Sequence, residues 1–301
     1  MMIWKVQRKN HMENKNFIIK ETPGGEKYLE KYVGSESSAE IPSEIAFIGE
    51  DAFLEDSRIE KVVVGGGADA IESYAFSLCK NLKSVVLPET LQEINLGAFS
   101  SCENLETVNL PEKLRIIGPK AFSGCKSLKV DSVPDFLIEV CQDSFDDTVS
   151  VLSKNAAYKI SDGVMYNEHS KSLLFAADRN LESVKIKNGT KYLGWNCLSN
   201  LKKLKNVSVP SSVVYIGRGA FMFLENLEKI ILPPSVKSID SGAFFNCVNL
   251  KEVIFQGDGL ERICGEAFSG CGMLRTVTVP SECEIDEGSF EKSCAVKRRE
   301  N

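Results

Sequence analysis

Groups that exchange protons or attack carbon are scarce in this 301-residue chain. Only two histidines occur, His11 near the N-terminus and His169 well inside the chain. Neither belongs to a Ser/His/Asp, Cys/His or His-Glu-x-x-His arrangement. The densest set of proton-transferring side chains is Tyr158, Asp162, Tyr166, Glu168 and His169. These would do acid–base work only if the fold gathered them in a deep pocket, which leaves an enzyme site in this segment as an outlying reading.

Phosphate and metal chemistry are equally thin. Gly65-Gly66-Gly67 is followed by no Lys-Ser/Thr pair, so it reads as a loop. The acidic pairs Asp146-Asp147 and Asp286-Glu287 lack the spaced Asp/Asn set with a central Gly that calcium needs. Ten cysteines occur without a Cys-x-x-Cys or Cys/His cluster. Five of them, Cys79, Cys102, Cys125, Cys247 and Cys271, stand three residues after a Phe, and are expected to be small buried thiols facing a neighbouring turn. No catalytic residue, cofactor or metal is predicted.

That regular placement leads to the elements that must carry it. An Ala-Phe pair recurs at Ala52-Phe53, Ala75-Phe76, Ala98-Phe99 and Ala121-Phe122 every 23 residues, with Ser144-Phe145 in the same register. A second array runs through Cys197-Leu198, Ala220-Phe221, Ala243-Phe244, Ala267-Phe268 and Ser289-Phe290. A fixed period of this length is the mark of a stacked repeat architecture. Each repeat also carries a strand-like block such as Leu82-Lys83-Ser84-Val85-Val86-Leu87-Pro88 or Leu274-Arg275-Thr276-Val277-Thr278-Val279-Pro280. Proline lacks an N–H donor, so it belongs where the strand leaves the ladder.

A second apolar pair follows (Leu91 and Ile94, Val213 and Ile216) before the next Ala-Phe. One repeat cannot enclose its own apolar side chains, but repeats stacked about 4.8 Å apart bury a continuous column of Leu, Val, Ile and Phe. The Ala before each Phe is expected to be small because the ring crowds it.

The unit Ile-Pro-x-x-(Ile/Val/Leu)-x-x-Ile-Gly-x-x-Ala-Phe-x-x-Cys-x-x-Leu-x-x-Val is similar to the BspA-like class of leucine-rich repeat, over residues 41–147 and 181–296. The resemblance implies an α/β, β-rich, right-handed leucine-rich-repeat solenoid, with a curved parallel sheet on the concave side and short helical or irregular turns opposite. It also implies that relatives are often bacterial secreted or surface proteins, some of them implicated in adhesion.

The expected organisation is a flexible tail over 1–16, an N-terminal capping hairpin over 17–40 and a first array of five repeats over 41–150. An inserted hairpin over 151–180, a second array over 181–296 and a charged tail over 297–301 complete one continuous solenoid.

Two surfaces qualify for partner binding. Alternation along the strands turns Lys61 and Val63, Ser84 and Val86, Thr107 and Asn109, Asn206 and Ser208, Lys229 and Ile231, Glu252 and Ile254, and Thr276 and Thr278 to the concave face. That face is weakly polar, β-branched and without aromatic anchors. The other surface lies between Ser183 and Leu224, where Lys185, Lys187, Lys191, Lys202, Lys203, Lys205 and Arg218 occur without one Asp or Glu. Within it Trp195 takes a loop position expected to face solvent, near Tyr192. Either these residues contact an acidic partner, or the inserted hairpin covers Trp195 and the lysines are merely solvated.

The net charge of -6 and the pI near 5.3 run against a nucleic-acid binder, and no apolar run is long enough to cross a bilayer. The residues therefore predict a non-catalytic interaction module, monomeric, with a protein or glycan partner. No apolar run of signal-peptide length follows the basic N-terminal residues, so a cytoplasmic location is expected from the residues, and an extracellular or surface adhesin from the resemblance.

Overall fold

The computed structural model describes residues 15–130 and 132–299, which leaves His11 outside the described residues. The chain divides into two compact units, residues 1–113 with 120–130, and residues 114–119 with 131–301. Each is built as a parallel β-solenoid.

In the first unit an antiparallel hairpin, Phe17–Glu21 with Lys27–Tyr32, opens the stack. The expected cap thus ends at residue 32, because Ser38–Glu40 already pairs in parallel with Lys61–Val63 as the first repeat strand. Ser84–Val86 and Thr107–Val108 extend that ladder. A second parallel ladder uses two-residue strands, Phe47–Ile48, Ala70–Ile71 and Glu93–Ile94, stacked on Lys27–Tyr32. The short apolar pair of each repeat is therefore a strand in its own right: its second residue points inward, as Ile48, Ile71 and Ile94 do with no exposure, and its backbone satisfies the neighbouring coil.

Between the ladders the Ala-Phe turns form an aromatic column. Tyr32, Phe53, Phe76, Phe99 and Phe122 follow one another with ring centroids 4.9, 4.6, 5.0 and 5.1 Å apart. That interval is the strand spacing, so the ladder itself sets the rings in stacking contact. Ala52, Ala75, Ala98 and Ala121 are completely buried beside them, as the crowding argument requires. Close approach explains Gly65 and Gly67 of the glycine triplet: a Cβ on Gly67 would lie 2.0 Å from the Ser43 carbonyl of the preceding coil, and one on Gly65 2.5 Å from the Ile41 carbonyl.

The second unit begins with the pair Ile116–Ile117 and Glu139–Val140. A single α-helix, Thr148–Ser153, follows; Asp147 is its N-cap and accepts the Ser150 N–H at 3.0 Å. The other turns among the described residues are irregular. The insert is a three-stranded antiparallel meander, Tyr158–Ser161, Val164–Asn167 and Ser172–Ala176, rather than a two-stranded hairpin. Its last strand starts the short ladder of Tyr192–Leu193, Tyr215–Ile216, Ser238–Ile239, Arg262–Ile263 and Glu284–Ile285.

Longer strands pair beside it, Ser183–Lys185 with Asn206–Ser208, Lys229–Leu232 with Glu252–Phe255, and Thr276–Val279 with Ala295–Arg298. Lys297 and Arg298, expected in a tail, thus belong to the last of these strands. Each longer strand that precedes a proline ends before it: Asn206–Ser208 before Pro210, Lys229–Leu232 before Pro233, Thr276–Val279 before Pro280. A second aromatic column joins Phe221, Phe244, Phe268 and Phe290 at 4.9, 4.8 and 4.9 Å.

Candidate partner-binding site

The cysteine positions resolve into structure first. Cys79, Cys102, Cys125, Cys247 and Cys271 donate their thiols to the carbonyls of Phe53, Phe76, Phe99, Phe221 and Phe244 at 3.0 to 3.1 Å. Burial pushes the Cys79 thiol up to about 12, and hydrogen bonding between Cys102 and Cys125, together with burial, raises Cys102 as well. These are buried packing groups. Among the described residues no group of His, Cys, Asp and Glu is placed to hold a metal ion, and no helix is long and apolar enough to cross a membrane.

The five proton-transferring residues of the insert are dispersed. Alternation along the meander sends Tyr158 and Tyr166 to opposite faces. Tyr158 donates to the Pro134 carbonyl, whereas the Tyr166 hydroxyl accepts the Lys187 N–H at 3.3 Å. Glu168 pairs with Lys187 at 2.5 Å, His169 with Asp135 at 3.3 Å, and Asp162 lies exposed in the turn.

The run without acids is partly neutralised from its flanks. Lys187 meets Glu168, Lys202 meets Glu225 and Lys205 meets Glu182 at 3.2 Å. For Lys202 and Lys205 the physical reason is the repeat itself: a residue one coil away is 23 positions distant in sequence but one strand spacing away in space, whereas Lys187 and Glu168 are 19 apart. Lys185, Lys191 and Lys203 are exposed and have no carboxylate partner among the described residues. Trp195 is half-buried rather than solvent-facing; the Arg218 guanidinium lies 5.5 Å from its ring centroid, and its carbonyl accepts the Cys141 thiol at 3.4 Å. Tyr192 is half-buried opposite Tyr215, whose hydroxyl donates to Asp240 at 2.7 Å.

The outward residues of the longer strands fall where alternation predicts. Lys61, Thr107, Asn206, Ser208, Lys229, Glu252, Thr276 and Thr278 are exposed and Ser84 is half-buried. Three of the candidates are already engaged. Lys229 pairs with Glu252 across the ladder at 2.8 Å, and the Asn109 amide binds the Leu87 backbone.

An aromatic group escaped the sequence pattern. Phe136 is 49% exposed, with the Arg115 guanidinium 5.9 Å and the His169 ring 5.5 Å from its centroid. It lies outside the 23-residue register, and its neighbours come from two other coils, so no spacing marks it.

No curated protein sequence matches the chain. Among solved structures, a leucine rich cell surface protein from Faecalibacterium prausnitzii is similar over 98% of this chain and 96% of its own, at 22% identity and a TM-score of 0.51. A leucine-rich repeat protein from Bacteroides ovatus matches at 22% identity over 95% of this chain and 98% of its own, with a TM-score of 0.37. The pneumococcal vaccine antigen PcpA matches at 17% identity, 94% and 82% coverage, and a TM-score of 0.41. The family model described as BspA type leucine rich repeat region matches residues 31–166 and 169–297. With the 23-residue coil, its two parallel ladders and its buried Ala-Phe and Cys positions accounted for, the chain belongs to the BspA-type leucine-rich-repeat family.

Proposed function

We propose that the chain is a non-catalytic protein-interaction module that engages an acidic region of a protein partner through the surface around Tyr192, Trp195, Lys191, Lys203 and Arg218. The observation that carries this reading is the Trp195–Arg218 contact. A large ring already held under a guanidinium loses little freedom on binding, and aromatic and Arg side chains supply most interface energy. The unpaired Lys191 and Lys203 add attraction for a partner of opposite charge although the chain as a whole is acidic. Ten unbridged thiols fit a reducing compartment.

The test compares partner capture by the wild type, a Trp195→Ala/Lys203→Glu variant and an Ile231→Asp variant of matched melting temperature. Capture lost in the first variant and kept in the second supports the reading. The reverse result moves the contact to the outward face of the longer strands, where Ile231 is exposed, and rejects it.

A further inference from the structure

The meander and the strand after it enclose a cleft of about 250 Å³, lined by Ser161, Asp162, Tyr166, Lys185, Lys187 and Asn188. A smaller pocket adjoins it, sharing Tyr166, Lys187 and Asn188 and adding Lys171. Tyr166 is 4% exposed yet lines both cavities, and its hydroxyl lies 3.3 Å from the backbone nitrogen of Lys187, which also lines both. The oxygen accepts the Lys187 N–H, and among the described residues no acceptor takes its proton. Burial raises its pKa, so the proton stays on at neutral pH.

The charges around this hydroxyl are unevenly compensated. Glu168 is cancelled by Lys187, and that hydrogen bond holds its carboxyl below the usual range. Lys185 has no carboxylate partner among the described residues, whereas the charge of Lys171 acts on Glu168 without a close ion pair. The buried Tyr166 and the Lys185 ammonium line the larger cleft with Asp162 at its rim, and Lys171 lines the adjoining pocket.

We propose that this cleft receives a carboxylate side chain of an acidic peptide segment, the Tyr166 hydroxyl and the Lys185 ammonium donating to its oxygens. A charge-assisted pair of this kind, formed in a concave site, gives a fixed docking point rather than diffuse attraction. The proposal rests on the reading of an acidic protein partner and names the contact that would set its register.

The experiment is fluorescence anisotropy of labelled hexaglutamate with the full chain, and labelled hexaglutamine as the uncharged comparison. Wild type binds hexaglutamate and not hexaglutamine. Lys185→Glu weakens binding about tenfold or more, and Tyr166→Phe by about three- to tenfold, at unchanged melting temperature. Lys292→Glu, an exposed lysine outside both the cleft and the basic run, changes binding less than about twofold.

Equal losses in Lys185→Glu and Lys292→Glu would show diffuse attraction and overturn the proposal. So would silence with hexaglutamate, or binding of an oligogalacturonate instead, which would assign the cleft to an acidic glycan. Lys185→Glu alone keeps the test decisive if Tyr166→Phe fails to fold. Hexaglutamate binding kept in Trp195→Ala isolates the cleft from the aromatic surface. Partner capture that depends on Trp195, with no hexaglutamate binding, removes the cleft and leaves the wider reading intact.

Discussion

Asn109 holds Leu87 at both polar groups of its backbone, its Oδ1 accepting the Leu87 N–H at 2.7 Å and its Nδ2 donating to the Leu87 carbonyl at 2.8 Å. The strand Thr107–Val108 is a residue shorter than its neighbour Ser84–Val86, and the side-chain amide supplies the pairing that the missing strand residue would have made. Replacing Asn109 with Ala should cost about 1–3 kcal/mol, since two hydrogen bonds are lost at once. Asn109→Asp keeps the acceptor but sets a carboxylate against the Leu87 carbonyl, so it should cost at least as much. Urea denaturation measures both, and an unmoved midpoint for Asn109→Ala would remove the structural role and return the residue to the pool of binding candidates.

A buried amide helps to fasten the insert. Asn167, 1% exposed, donates to the carbonyls of Asp135 and Leu137 at 3.0 and 2.8 Å, and its oxygen accepts the N–H groups of His169 and Ser170 at 2.9 and 3.1 Å. Asn167→Ala leaves buried donors and acceptors without partners, at an expected cost of about 2–4 kcal/mol. Amide hydrogen exchange should accelerate across residues 158–176 while the Phe221–Phe290 stack keeps its protection. Uniform loss of protection, or none, would contradict this local role.

Thiol reactivity should divide by burial. Cys264 and Cys294 are half-exposed and the other eight cysteines are buried, the five ladder thiols also being spent on carbonyls. Because the thiolate is the reacting form, iodoacetamide at mildly alkaline pH should modify at most Cys264 and Cys294 in the native chain, and all ten after unfolding. Mass spectrometry of labelled peptides reads this directly. Rapid native labelling of Cys102 would mean that the ladder opens far more readily than a packed column allows.

Acid should loosen the insert before it unfolds the arrays. The hydrogen bond from Lys187 lowers the Glu168 pKa in the fold, so Glu168 contributes stability at pH above the free value of 4.5 and loses it as the pH drops through the lower folded value. The pair is partly exposed, so its share is about 1 kcal/mol or less. In Lys187→Met the carboxyl returns towards its ordinary pKa, and the fall in melting temperature on acidification should be shallower than in wild type. Parallel acid curves for the two proteins would show that the ion pair contributes nothing.

The period of 23, the inward Ile and Phe positions, the prolines that end strands and the buried thiols were all legible, because each repeat meets a copy of itself and the same residue types return to the same environment. Two of the three ion pairs in the basic run were legible as well: Lys202–Glu225 and Lys205–Glu182 are one period apart, which is where stacking brings side chains together. The third was not. Lys187 meets Glu168 across the insert at a separation of 19, outside any register.

Self-stacking is a local rule repeated, so the amino-acid sequence by itself determined the coil, its core and its family. The meander has no copy to pack on. Its seat is set by the Tyr158 hydroxyl and Asn167 amide reaching the backbone of residues 134–137, contacts that carry no spacing. Only the tertiary structure could therefore show that Tyr166 meets the Lys187 backbone and lines one cleft with Lys185, that Arg218 covers Trp195, and that Phe136 is left at the surface.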